Sequence, residues 1–193
     1  MLQIILKRYW FLLLVISVSW FSLAHTELLA WNRPLIHQGE YWRFFTGNLA
    51  HSNLIHWIMN MMTLGVIYFI YDDRLSNWQF CLLSSLLAII GGTLIMLTDY
   101  HIYVGLSGVT HGLIVYGASI DLSSDRPKSG GLVLTAIALK LALEQYYGND
   151  PWVSDMIGID VAIDAHLIFA GLGLTLAVLA YWLWLRPTYA DNS

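Results

Sequence analysis

Ser107 lies in the run Gly105-Leu106-Ser107-Gly108, at the start of an apolar stretch. Glycines on either side leave the hydroxyl exposed and let other groups approach the backbone closely. If the serine opens a helix, free N–H groups beside it could stabilise an oxyanion. The plainer reading of the same residues is an N-cap serine in a tight turn. A hydroxyl becomes a nucleophile only with a base to take its proton. His166, near the start of another apolar stretch, is the candidate, although a lone helical histidine also serves as an interhelical donor. His56 and Asn60 are spaced i, i+4 and share one helix face, where they could act as an amide donor site or simply join two helices. Nucleophile, base and oxyanion donor at one depth on three helices would perform acyl transfer.

Other polar residues at the same depth need an account, because ionisable groups inside a bilayer are costly. Lys140 and Glu144 are i, i+4 and are read as a structural pair, each making burial of the other tolerable. His111 follows Ser107 by four residues, one turn deeper on the same helix. There it can stack on His166 and support it, with direct service as the base as the rival assignment. Asp164 is two residues before His166, about 200° around the helix, so it cannot orient that ring. A Ser107–His166 dyad without a third acid is therefore expected.

The elements that would hold these residues are membrane helices. The chain has 193 residues, 58% hydrophobic and 11% charged, where an ordinary soluble domain carries about 25% charge. Mean hydropathy is +0.61 and net charge −4, so a soluble enzyme, a disordered tail and a nucleic-acid binder are excluded. The single cysteine, Cys81, supports neither an internal disulfide nor a cysteine metal site, and neither a metal nor a cofactor is expected. Six apolar stretches of spanning length are predicted, at 9–29, 54–71, 78–98, 107–120, 131–147 and 161–185, with a polar break at 121–130. The fold expected is an all-α, six-helix polytopic membrane bundle, a single domain over 1–193. Lys7, Arg8, Arg74, Arg126, Lys128 and Arg186 fall on one side and only Arg33 and Arg43 on the other, which makes the N-terminus cytoplasmic. Lys7-Arg8, an apolar stretch and Ser22-Leu23-Ala24 also imitate a cleavable signal, though the apolar part is long for one. The aromatic loop 30–53 is expected to lie in the membrane interface.

Taken together, Trp42-Arg43, then His51, then His56-Trp57-Ile58-Met59-Asn60 resemble the pattern of the rhomboid intramembrane serine proteases, with its H-x-x-x-N. Gly105-Leu106-Ser107-Gly108 is similar to the rhomboid G-x-S-G, and Ala165-His166 to the A-H of its last helix. Within the family, Gly-Leu-Ser-Gly-x-x-His-Gly and Asp164-Ala165-His166 look most like the rhombosortases, bacterial relatives that process proteins with a C-terminal Gly-Gly sorting tail. The resemblance implies Ser107 as nucleophile and His166 as base, with His56 and Asn60 at the oxyanion hole. It gives supporting places to Gly105, Gly108, His111 and His51, and puts Trp42 and Arg43 in an outer-leaflet loop. It further implies a multi-pass protein of the bacterial inner membrane, acting on clients that carry a C-terminal transmembrane tail. Membrane lipid is its surroundings and no nucleic acid is a partner. Two departures stand out. Phe169 replaces the first glycine of A-H-x-x-G-x-x-x-G, with Gly173 keeping the second, so helix four is expected to meet helix six through Gly171 or Ala170. His111 stands where an aromatic commonly stacks on the catalytic histidine. The alternatives are a catalytically inactive rhomboid-like binding module and, from another class, a small transporter. The transporter would need inverted repeats, and none is visible in the sequence.

Overall fold

The computed structural model describes residues 2–185, so Arg186, counted above among the cytoplasmic charges, lies outside them. Six helices carry the fold: α1 (Leu2–Leu23), α2 (Leu54–Tyr71), α3 (Asn77–Leu86), α4 (Ser107–Leu122), α5 (Pro127–Tyr147) and α6 (Ile163–Ala180). Helix α3 runs on through a π turn at Leu87–Gly91. Among the described residues, four segments are long and apolar enough to cross a membrane: Leu6–Leu23, Leu54–Tyr71, Asn77–Leu97 and Ile163–Leu183. Helix α4 has only 16 residues, and α5, with 21, carries Lys128, Lys140 and Glu144. Length and apolarity alone therefore support four spans rather than the expected six.

Two boundaries differ from the sequence reading. The stretch 9–29 is not one helix: α1 stops at Leu23 and a separate turn, Thr26–Leu29, follows. The chain turns because the Ser22 hydroxyl donates to the Leu49 carbonyl at 2.5 Å and the Thr26 hydroxyl to the His51 carbonyl at 2.8 Å. Hydroxyls that find distant carbonyls favour a helix end over its continuation. The polar break is also shorter than 121–130, because Pro127 starts α5 at a position where its missing N–H costs nothing. Asp121, almost fully buried, closes the α4–α5 turn with ion pairs to Arg74 and Arg126.

Loop 30–53 is built rather than loose. Trp31–Asn32 pairs antiparallel with Ile102–Tyr103, tying the loop to the segment that leads into Ser107. Arg43, 3% exposed, donates to the carbonyls of Ala30 and Glu27 and pairs with Glu40. Arg33 donates to the carbonyls of Tyr100 and Met96 at the end of the third helical segment. The two outer arginines are thus occupied with helix-end and loop carbonyls, while Tyr41 and Trp42 stay exposed.

Close helix contacts rest on glycine. A Cβ on Gly173 of α6 would fall 2.2 Å from the Gly112 carbonyl oxygen of α4, so the two backbones touch there. Gly171 faces open space, while Ala170 packs with Val115 of α4 and Leu141 of α5. Of the two residues expected to meet α4, Ala170 does and Gly171 does not, and the closest backbone approach is at Gly173. Phe169 fits because the relief has moved to other helices. A Cβ on Gly91 would meet its ring at 2.4 Å and one on Gly108 at 2.9 Å.

Candidate active site

The antiparallel pair delivers the chain to Gly105, whose φ of +117° is a left-handed conformation that favours glycine. A side chain there would also collide with His56, 2.6 Å from Nε2. Helix α4 then begins, with Leu106 in the N-cap position and Ser107 as the first helical residue. Ser107 is thus not the N-cap, and its side chain is free of capping duty. The first N–H groups of α4 have no intrahelical acceptor and point toward the same end.

Ser107 Oγ lies 3.0 Å from His166 Nε2, bringing α4 and α6 together at hydrogen-bond distance. The other ring nitrogen, Nδ1, is 3.1 Å from both carboxylate oxygens of Glu144 on α5. Glu144 Oε1 also receives Lys140 Nζ at 2.6 Å. The expectation of a self-contained Lys140–Glu144 pair is corrected here: one carboxylate has two oxygens and serves both neighbours. The expected absence of an acid beside His166 is corrected with it. The partner of Nδ1 is Glu144 and not Asp164.

His111 lies face to face with His166, ring centroids 4.1 Å apart and planes 16° from parallel. Its Nδ1 is engaged with the Ser107 carbonyl at 2.7 Å, away from the hydroxyl. His111, Glu144 and His166 bring three ligand atoms within 4.8 Å of one another. Parallel rings do not aim their in-plane lone pairs at one point, however, and both nitrogens of His166 and both oxygens of Glu144 are already hydrogen-bonded, so the set is poorly made for a metal.

On α2, Asn53 caps the helix by accepting from the His56 N–H, and Asn60 donates to the His56 carbonyl at 3.1 Å, keeping a second amide hydrogen for the cavity. Ser52 was absent from the sequence reading. Its Oγ is 2.5 Å from the Ile157 carbonyl and 2.9 Å from His56 Nδ1. A carbonyl only accepts, so the serine proton goes to Ile157 and Nδ1 of His56 is the protonated nitrogen. In a neutral ring Nε2 then carries a lone pair, and His56 has no N–H to offer on the Gly105 side. His51 is fully buried, with Nδ1 at 3.0 Å from the Leu49 carbonyl and its ring edge-on to His56 at 5.1 Å. Burial, helped by neighbouring His56, holds its imidazole down at about 3, so His51 is a neutral packing group. Trp42 and Arg43 stay in the loop and do not line the site. Gly108 gives room to the Tyr103 hydroxyl and Phe169.

Ser107, His166, Glu144, Lys140, His111, His56 and Asn60 all open into one cavity of about 780 Å³. Its walls are Met59, Thr63 and Ile67 of α2 and Ile137, Leu143 and Tyr147 of α5, with the short helix Pro151–Ile157 above. That volume is within the range of ligand-binding clefts and has room for a short stretch of extended chain. The Rhomboid domain family model matches residues 38–183, which include every residue of this cavity.

Proposed function

The chain belongs to the rhomboid family, whose members are generally intramembrane serine proteases, and from that membership we propose that it is an active serine endopeptidase with Ser107 as nucleophile and His166 as base. The observation that carries the proposal is the 3.0 Å contact between Ser107 Oγ and His166 Nε2 at the wall of a cavity of about 780 Å³. As Oγ bonds the scissile carbonyl carbon, its proton passes to Nε2. The resulting oxyanion is held by the N–H groups at the start of α4 and by the free amide hydrogen of Asn60. Each such donor contributes about 3 kcal/mol on the scale of known oxyanion holes. His56 adds a donor once Nε2 bears a proton, that is, once Ser52 turns its hydroxyl from Ile157 to Nδ1. Collapse breaks the C–N bond, and His166 returns the proton to the leaving amine. An acyl group stays on Ser107 for a second nucleophile to remove.

All six helices cross the bilayer in this reading, with the N-terminus in the cytoplasm of a bacterium and the protein in its inner membrane. Ser107 then lies near the outer face, where a client's C-terminal transmembrane tail would present its top. Lipid forces an isolated helix to keep its hydrogen bonds, yet attack needs an extended backbone. Glycine lowers that barrier by about 1 kcal/mol per residue relative to alanine, which favours a Gly-Gly sorting tail. The test is a membrane reporter ending in such a tail, with Gly-Gly replaced by Ala-Ala and then Leu-Leu, and products mapped by mass spectrometry. Cleavage falling in that order and lost in Ser107→Ala is expected. Equal cleavage of all three would remove the sorting-tail assignment. Retention of the intact reporter without any cut would leave the inactive binding module.

A further inference from the structure

We propose that Glu144 is a positioning residue for His166, completing a Ser107–His166–Glu144 relay across α4, α6 and α5; this rests on Ser107 and His166 acting as assigned above. The geometry is symmetric and specific. Both oxygens of Glu144 lie 3.1 Å from Nδ1, and Ser107 Oγ lies 3.0 Å from Nε2. An ionised carboxylate can only accept, so Nδ1 carries the ring proton of neutral His166. Nε2 is then left with the lone pair that a base needs, aimed at the hydroxyl. No other neighbour fixes that tautomer. His111 presents only its face to His166, and Asp164, two residues earlier on α6, is about 200° around the helix.

The chain spends structure on keeping this carboxylate in place. Lys140, one turn earlier on α5, makes a charge at bilayer depth tolerable. Gln145 donates from Nε2 to the Ile163 carbonyl at the start of α6, fixing α5 against the helix that bears His166. When the Ser107 proton moves to Nε2, the imidazolium forms within hydrogen-bond distance of Glu144, which stabilises it without taking the proton. The same proton later leaves with the amine, so Glu144 is unchanged through the cycle.

The experiment measures inactivation of the full-length protein by a fluorophosphonate, which separates binding (KI) from attack by Ser107 (kinact). Glu144→Gln keeps the shape and one acceptor but removes the charge. It is expected to lower kinact about 100-fold with KI little changed. Glu144→Asp, which restores the charge on a shorter stem, should recover about tenfold of that loss. Lys140→Met should lose less than Glu144→Gln, and thermal unfolding should find all three folded. A kinact for Glu144→Gln within about threefold of wild type would overturn the proposal. So would equal losses in Glu144→Gln and Lys140→Met, which would assign Glu144 to the ion pair alone. Wild-type protein that fails to react at Ser107 would instead overturn the nucleophile assignment, a result visible before any Glu144 variant is compared.

Discussion

His111 offers His166 a flat face and nothing else, since its Nδ1 is already engaged with the carbonyl of Ser107. A stacked aromatic pair is worth about 0.5–1.5 kcal/mol beyond buried area, and a phenylalanine supplies the same face. His111→Phe is therefore expected to keep turnover of the Gly-Gly reporter within about tenfold of wild type. Complete loss in a folded variant would make His111 the base. The candidate residues were readable in the sequence because each came with a spacing: i, i+4 on α2, glycines around Ser107, and Ala165-His166 on the last helix. Glu144 was visible too, but its bond to Lys140 lies within one helix while its bond to His166 spans two. Periodicity gives the spacing along a helix and not the rotation of one helix against another. Ser52 carried no signal at all, because a serine ahead of an Asn N-cap looks like ordinary loop.

At the scale of elements, the α4–α6 contact decides how near Ser107 comes to His166. Gly173 against Gly112 sets the backbone separation, and Phe169 occupies space vacated by Gly91 and Gly108. Gly173→Ala places a Cβ 2.2 Å from a backbone oxygen, so the helices must part. It is expected to destabilise by about 1–3 kcal/mol and to reduce cleavage along with stability. Gly171→Ala, with nothing within 4 Å, is the matched control and should leave both unchanged or slightly improved. Unfolding temperature and reporter cleavage for the two variants check this directly, and equal behaviour would contradict it. The first glycine of the family pattern is missing from α6, and no reading of α6 alone could show its replacement on α3. The early end of α1 was hidden for a similar reason: Ser22 and Thr26 turn the chain by reaching carbonyls in a loop far along the sequence.

The molecule as a whole places a cluster of polar side chains among helices apolar enough to lie in a membrane. Its apolar exterior keeps helices in lipid, while paired charges and carbonyl-bound arginines fasten the ends: Asp121 with Arg74 and Arg126 at one side, Arg33 and Arg43 at the other. Composition made the membrane class legible at once. It could not settle the number of spans, because α4 has only 16 residues and α5 is diluted by Lys140 and Glu144. The residues that dilute α5 are ones the proposed relay draws on. The most direct test of that chemistry is intact-mass spectrometry of the purified protein after exposure to a fluorophosphonate, with the modified peptide sequenced. A single adduct on Ser107, absent from Ser107→Ala and lost or slowed at least about 10³-fold in His166→Ala, is the expected result. An unmodified wild-type protein, or a His166→Ala variant that labels at the wild-type rate, would contradict the assignment of Ser107 as a nucleophile activated by His166.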